Sequence, residues 1–177
     1  MTGKLTSVVL RISGALDVVA TIVTSIAIIV LVATVLLQVV ARYIFQQPPA
    51  YTEELARYSM IWAGLIGATM AFKRRFDPAL MNGVQNGPEW LKILAEVVRS
   101  AVVLIYLVPI FVYCFFGPGL NPARGFLLRH SKTMAEALPF TTIWVALAVP
   151  LMIALIFVHL LARWCGDGWT NRRATPD

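Results

Sequence analysis

The chain has 177 residues, of which 59% are hydrophobic and only 14% charged, against roughly 25% charged in a typical soluble domain. The 15 basic residues outnumber the 9 acidic ones, but they gather at the ends of apolar runs and form no basic face or stripe. This pattern excludes an ordinary soluble domain, a disordered chain and a nucleic-acid binder, and leaves one small polytopic membrane domain covering 1–177.

No charge lies between Asp17 and Arg42, between Arg99 and Arg124, or between Glu136 and Arg163, gaps of 24, 24 and 26 residues. A hydrocarbon core of about 30 Å needs about 20 apolar helical residues, so each gap can span. The first span is placed at about 18–41. It is too long for a signal-peptide core and is read as a retained anchor. Arg42 and Tyr43 close it at the interface. The prolines of QQPPAYTEE stop the helix. Thr52 is expected to cap the next one, with Glu53 and Glu54 in its first turn, where the helix dipole favours acids.

The second span, about 54–72, is short. Only 15 uncharged residues separate Arg57 from Lys73, about 23 Å at 1.5 Å each. The helix therefore carries Arg57 into or near the membrane. Glu53 and Glu54 stand four and three residues before it, on the same helical face, which lowers that cost. The basic cluster KRRFDP and the loop NGVQNGP follow. Segment 88–99 reads as an amphipathic interfacial helix with Glu89, Lys92, Glu96 and Arg99 on one side, running into a third span at about 97–116. Pro109 is expected to kink that span. The fourth span, about 138–162, has Trp144 and Trp164 near its ends and a kink expected at Pro150. The fold expected is thus all-α: four transmembrane helices plus a short interfacial one. With even crossings both termini share a side, which carries 10 of the 15 basic residues. The positive-inside rule makes that side cytoplasmic.

Few residues offer chemistry. Cys114 and Cys165 are far apart and make no CxxC pair. His159 and His130 fall on opposite sides and do not form an axial pair for haem. No span has an acid at its middle, as a self-contained proton-coupled exporter would need. The sequence offers no catalytic, substrate-binding or metal residues. Charges at the membrane edge and a small-residue surface from Ala63, Gly64, Gly67, Ala68 and Ala71, which allows close helix approach, suit a subunit better than a free-standing machine.

The pattern QVxxRYxF, a proline-containing turn, TEELARY, IWxGLxGA and AFKRR, with ALPFTTIWVALAVPLMIAL near the end, resembles the small membrane subunit of TRAP transporters, the tripartite ATP-independent periplasmic systems. The likeness covers roughly Val18 to Ala162. Asp77 and Pro78 depart from it, standing where family members often have His-Ile. The resemblance implies a multi-pass protein of the bacterial inner membrane. It would stand as a fixed scaffold beside a large, sodium-driven elevator subunit and help dock a periplasmic substrate-binding protein for organic-acid uptake. Sodium and substrate would belong to the large subunit, leaving no cofactor in this chain. The resemblance points to Arg42, Glu53, Glu54, Arg57 and Trp62 as interface residues. The residues themselves also leave open a free-standing exporter or the membrane anchor of a redox enzyme.

Overall fold

The computed structural model describes residues 2–47, 49–74 and 88–167. Arg75, the Asp77–Pro78 turn, the loop at 82–87 and the basic residues Arg172 and Arg173 lie outside them, as do the side chains of Glu89 and Lys92.

Among the described residues four long helical stretches make up the fold. α1 runs Thr2–Tyr43, α2 Ala50–Arg74 and α3 Glu89–Phe115. After a 3-10 turn at Pro122–Arg124 come the short helices α4, Phe126–Lys132, and α5, Ile143–Ala146. α6, Ala148–Ala162, continues into a π turn over Arg163–Asp167.

Cross-helix contacts fix the directions. Asp17 in the first half of α1 meets Lys73 and Arg74 at the end of α2, and Thr24 of α1 faces Gly67 of α2. These two helices are antiparallel. Ser13 meets His159, and Ala20 packs with Leu155, so α6 also runs against α1. In α3, Glu96 pairs with Arg163, Ser100 with Trp164 and Phe111 with Phe157, again antiparallel to α6. Hence α1 and α3 run one way, α2 and α6 the other.

The packing is that of a protein in lipid. Inside lie small and polar side chains, among them Ser13, Thr52, Thr69 and His159, around a cluster of Ala20, Ile66 and Leu155. Outside lie large apolar ones, such as Ile29 of α1 and Ile105 of α3, 66% and 74% exposed. Such rows are costly in water and suit a hydrocarbon or protein neighbour. Among the described residues three stretches can cross a membrane by length and apolarity: Thr6–Tyr43, Ile93–Phe115 and Ile143–Cys165. α2 is not among them. Arg57, Ser59 and Thr69 dilute its apolar body, although its 25 residues reach about 37 Å.

Several expected boundaries move. The segment at 88–99 is no separate helix but the first turns of α3. Nothing between Arg99 and Val102 breaks the backbone, and Pro109 sits inside α3 without ending it. The last long helical stretch starts at Ile143, where the sequence predicts a span from 138, because 133–142 closes on itself: Ala135 N–H donates to the Phe140 carbonyl at 2.9 Å and Thr142 N–H to Thr133 at 2.9 Å. At the expected kink the regular helix is interrupted for one residue, Leu147, between α5 and α6, although Leu147 itself keeps helical dihedrals (φ −62°, ψ −23°). Proline has no N–H to give the carbonyl four residues back, that of Ala146, and its ring crowds that group. Thr52 is not a cap. α2 starts two residues earlier, and the Thr52 hydroxyl donates back to the Pro49 carbonyl at 2.7 Å.

Candidate functional site

The residues singled out at the α1–α2 turn fall into three different environments. Glu53 and Arg57 form an ion pair at 3.2 Å on the outer face of α2, with side chains 70% and 56% exposed. Arg42, in the last turn of α1, is exposed. Glu54 points the other way and is only 8% exposed. Its carboxylate accepts the Tyr58 hydroxyl one turn on, the Glu136 N–H at 3.0 Å and the Ala137 N–H at 2.7 Å.

Glu54 therefore holds segment 133–142 against the first turns of α2. A carboxylate taken out of water needs donors on both oxygens, and two backbone N–H groups plus a phenol supply them. The Tyr58 ring reinforces the clasp, lying 6.3 Å from the Phe140 ring. The spacing suggested that Glu53 and Glu54 both turn toward Arg57. In the structure Arg57 bonds to Glu53, four residues before it, and Glu54 is spent inside the chain.

Trp62 is partly buried against the Ala20, Ile66 and Leu155 cluster. It also lines a cavity of about 340 Å³ with Val23, Val30, Tyr58 and Trp144. This apolar groove lies between α1, α2 and α5 and shares Tyr58 and Phe140 with the clasp.

A second polar cluster holds the opposite end. Asp17 lies 3.5 Å from Arg74 and 3.9 Å from Lys73. Lys73 Nζ donates to the Ser13 carbonyl at 2.8 Å, and Arg74 donates to Thr21 at 3.0 Å. Ser13 Oγ and His159 Nδ1 share a hydrogen bond of 2.9 Å, both residues being buried. Alongside, Glu96 meets Arg163, whose guanidinium lies 5.6 Å from the Phe72 ring centroid.

Sequence reasoning did not find the Tyr58–Phe140 clasp, the loop amides at Glu136 and Ala137, or the Ser13–His159 bond. Tyr58 had a local signal, since it stands four residues after Glu54 and shares its face. The other partners come from distant helices and had none. Polar groups here tie helices together at both ends, between long apolar exteriors.

This is the build of a helical membrane protein whose polar side chains join and position helices. The chain matches the family described as tripartite ATP-independent periplasmic transporters, DctQ component, over residues 31–167, which covers most of its length. It belongs to that family, and is thus the small permease subunit of a TRAP transporter. The family is one of transporter components and not an enzyme family, which favours the subunit reading over a free-standing exporter or redox anchor. Membership implies association with the large DctM subunit and a substrate-binding protein. No curated protein matches the chain.

Proposed function

We propose that the chain is the stationary scaffold of a sodium-driven TRAP transporter for organic acids in the bacterial inner membrane. It braces the large subunit while that subunit moves its cargo, and it helps seat the periplasmic binding protein. The observation that carries this reading is the double clamp on α2. One end of α2 is tied to α1 through Asp17, Lys73 and Arg74, and the other is tied to the 133–142 segment through Glu54. An element held at both ends suits the part of an elevator that stays still.

The same geometry supports four crossings. α1 and α3 run in one direction, so the chain has to return between them, and α2 lies antiparallel to α1 over its length. α2 crosses in spite of its polarity because Arg57 stays at the edge beside Glu53, while Thr69 donates to the Ile66 carbonyl at 2.7 Å. Both termini then lie in the cytoplasm with Lys73 and Arg74, and the loop at 116–142 lies in the periplasm.

Two measurements test this reading. Cys165 is exposed and Cys114 buried, so the native chain carries its own topology probe. An impermeant thiol reagent should label Cys165 only from the cytoplasmic side, and labelling from the periplasm would reverse the orientation. Sodium-driven organic-acid uptake should require this chain, the large subunit and the binding protein together. Uptake by this chain alone in liposomes would refute the scaffold role.

A further inference from the structure

The cavity of about 340 Å³ beside Trp62 runs along two helices. Its α1 wall reaches from Val23 to Val30 and its α2 wall from Leu55 to Trp62, about 10 Å of helix in each case. Phe140 and Trp144 close a third side. The α1 wall lies wholly within the uncharged run between Asp17 and Arg42, the part of α1 that suits hydrocarbon depth. Ile26 and Trp144 line the cavity and are also exposed, so the space opens onto the outer surface of the bundle.

Size and chemistry narrow what can fill it. A partner helix is too wide: at 10–12 Å across with its side chains, 10 Å of helix takes up on the order of 800 Å³. A single side chain from a neighbouring protein enters at one point and leaves the rest of the slot void, which forfeits contacts. Water finds few partners, because the lining is mostly aliphatic and aromatic and apolar cavities stay dry. Two hydroxyls stand on the wall. That of Tyr58 is given to Glu54. Ser59 is only 8% exposed, and its hydroxyl has no hydrogen-bond partner among the described residues. A buried hydroxyl left unpaired is costly, and an occupant with an acceptor at this point removes that cost. A slender hydrocarbon tail that carries a carbonyl at its head meets each of these demands.

We propose that the slot holds one acyl chain of a membrane phospholipid, with the ester carbonyl of that chain accepting the Ser59 hydroxyl. This rests on the membrane residence of the family and is independent of the stationary role proposed above. From Ser59 the tail runs past Trp62 toward Val23, whose neighbour Thr24 faces Gly67 eight residues farther along α2. Tyr58 and Phe140 belong both to the wall and to the clasp, so the bound chain bears on the ring pair that steadies segment 133–142.

The test uses the complex of this chain with the large subunit in detergent micelles. The probe is a phosphatidylcholine with a photoreactive diazirine in its acyl chain. After irradiation, mass spectrometry of the peptides should find adducts on Ser59, Trp62 or Trp144 that saturate as probe is added. Adducts on Ile105, on the exposed face of α3, should instead rise in proportion to the probe. Ala27 lines the slot, so Ala27→Phe puts a ring into it and should abolish the saturable labelling while leaving that of Ile105 unchanged. Ser59→Ala keeps the slot open and removes only the hydroxyl. It should raise the half-saturating probe concentration about twofold to tenfold, the effect of one lost hydrogen bond, and it serves as the test if Ala27→Phe fails to assemble. Labelling of the lining that never saturates, or that persists in Ala27→Phe, would overturn the proposal. So would a lining that stays unlabelled while Ile105 reacts, since the slot would then be filled by a side chain of the large subunit. An unchanged half-saturation in Ser59→Ala would overturn the placing of the ester at Ser59.

Discussion

Glu54 Oε2 accepts the Ala137 N–H at 2.7 Å across 83 positions of sequence. Its other oxygen takes the Glu136 N–H and the Tyr58 hydroxyl. One carboxylate thereby sets where the 133–142 segment sits on α2. Replacing Glu54 by Ala should leave these donors without their acceptor, and a donor stripped of its partner while still shielded from water is costly. The amides of Glu136 and Ala137 should then exchange with deuterium faster than in wild type. Glu54→Gln keeps one carbonyl acceptor and should fall between the two. Wild-type exchange at both amides in Glu54→Ala would mean that the segment holds itself through its Thr133–Thr142 bond.

The Ser13–His159 bond joins α1 to α6 at the other end of the bundle, with both residues buried. Interhelical polar pairs in membrane proteins average about 0.6 kcal/mol of coupling and reach about 1.7. A double-mutant cycle of Ser13→Ala and His159→Leu in detergent unfolding should give a coupling in that range. Simple additivity of the two single changes would show that the pair contributes nothing of its own.

The two glycines of α2 should behave oppositely. A Cβ on Gly67 would meet Thr24 Cγ2 at 3.6 Å, whereas one on Gly64 meets nothing within 4 Å. A leucine at 67 needs room that α1 already fills. It should cost the isolated chain about 1–3 kcal/mol in unfolding experiments. Gly64→Leu should leave the isolated chain as stable as wild type or slightly more so, because glycine is a poor helix former. The same Gly64→Leu change should reduce co-purification with the large subunit if the small-residue surface of α2 receives a partner helix. Normal assembly would remove that surface from the list of contacts.

How far the structure was readable in advance depended on the range of the cause. The end of α1 follows from local signals, Arg42 and Tyr43 and then the prolines at 48 and 49, whereas the start of α2 falls two residues before the Thr52 cap those signals suggested. Pro150 marked a disturbance in the last span, though the break falls three residues earlier at Leu147, because the bond that proline cannot make belongs to the preceding turn. Glu54 was visible as an acid at the membrane edge, and its proximity to Arg57 invited a pairing by spacing. What the spacing did not contain was the competing offer from two amides more than eighty residues away. Leu138 to Thr142 reads as the start of an apolar span. It is instead part of a closed loop, since its hydrogen bonds run back to 133–135. The directions of α1, α2, α3 and α6 follow from the alternation of spans, but their partners do not. His159 meeting Ser13 is set by packing geometry that no local pattern encodes.

The exposed pair of Glu53 and Arg57 separates a local anchor from a contact surface. Their side chains are 70% and 56% exposed and 3.2 Å apart. Surface pairs of this kind contribute about 0.2–1 kcal/mol. Exchanging them, Glu53→Arg with Arg57→Glu, keeps the attraction but reverses the preference of the helix N-terminus for an acid, a change of about 0.3–1 kcal/mol. The isolated chain should therefore unfold within about 1 kcal/mol of wild type. If the pair meets the large subunit or the binding protein, each exchanged charge faces a group selected for its opposite, and an unmatched charge held at a protein interface costs several kcal/mol. The expected outcome is near-normal stability of the chain together with reduced recovery of the large subunit or reduced uptake. Glu54, already committed to the 133–142 segment, is untouched by the exchange, so a loss of assembly is assigned to the outward face of α2 and not to a disturbed loop. Wild-type recovery and wild-type uptake would make the pair a local anchor and withdraw Glu53 and Arg57 from the interface.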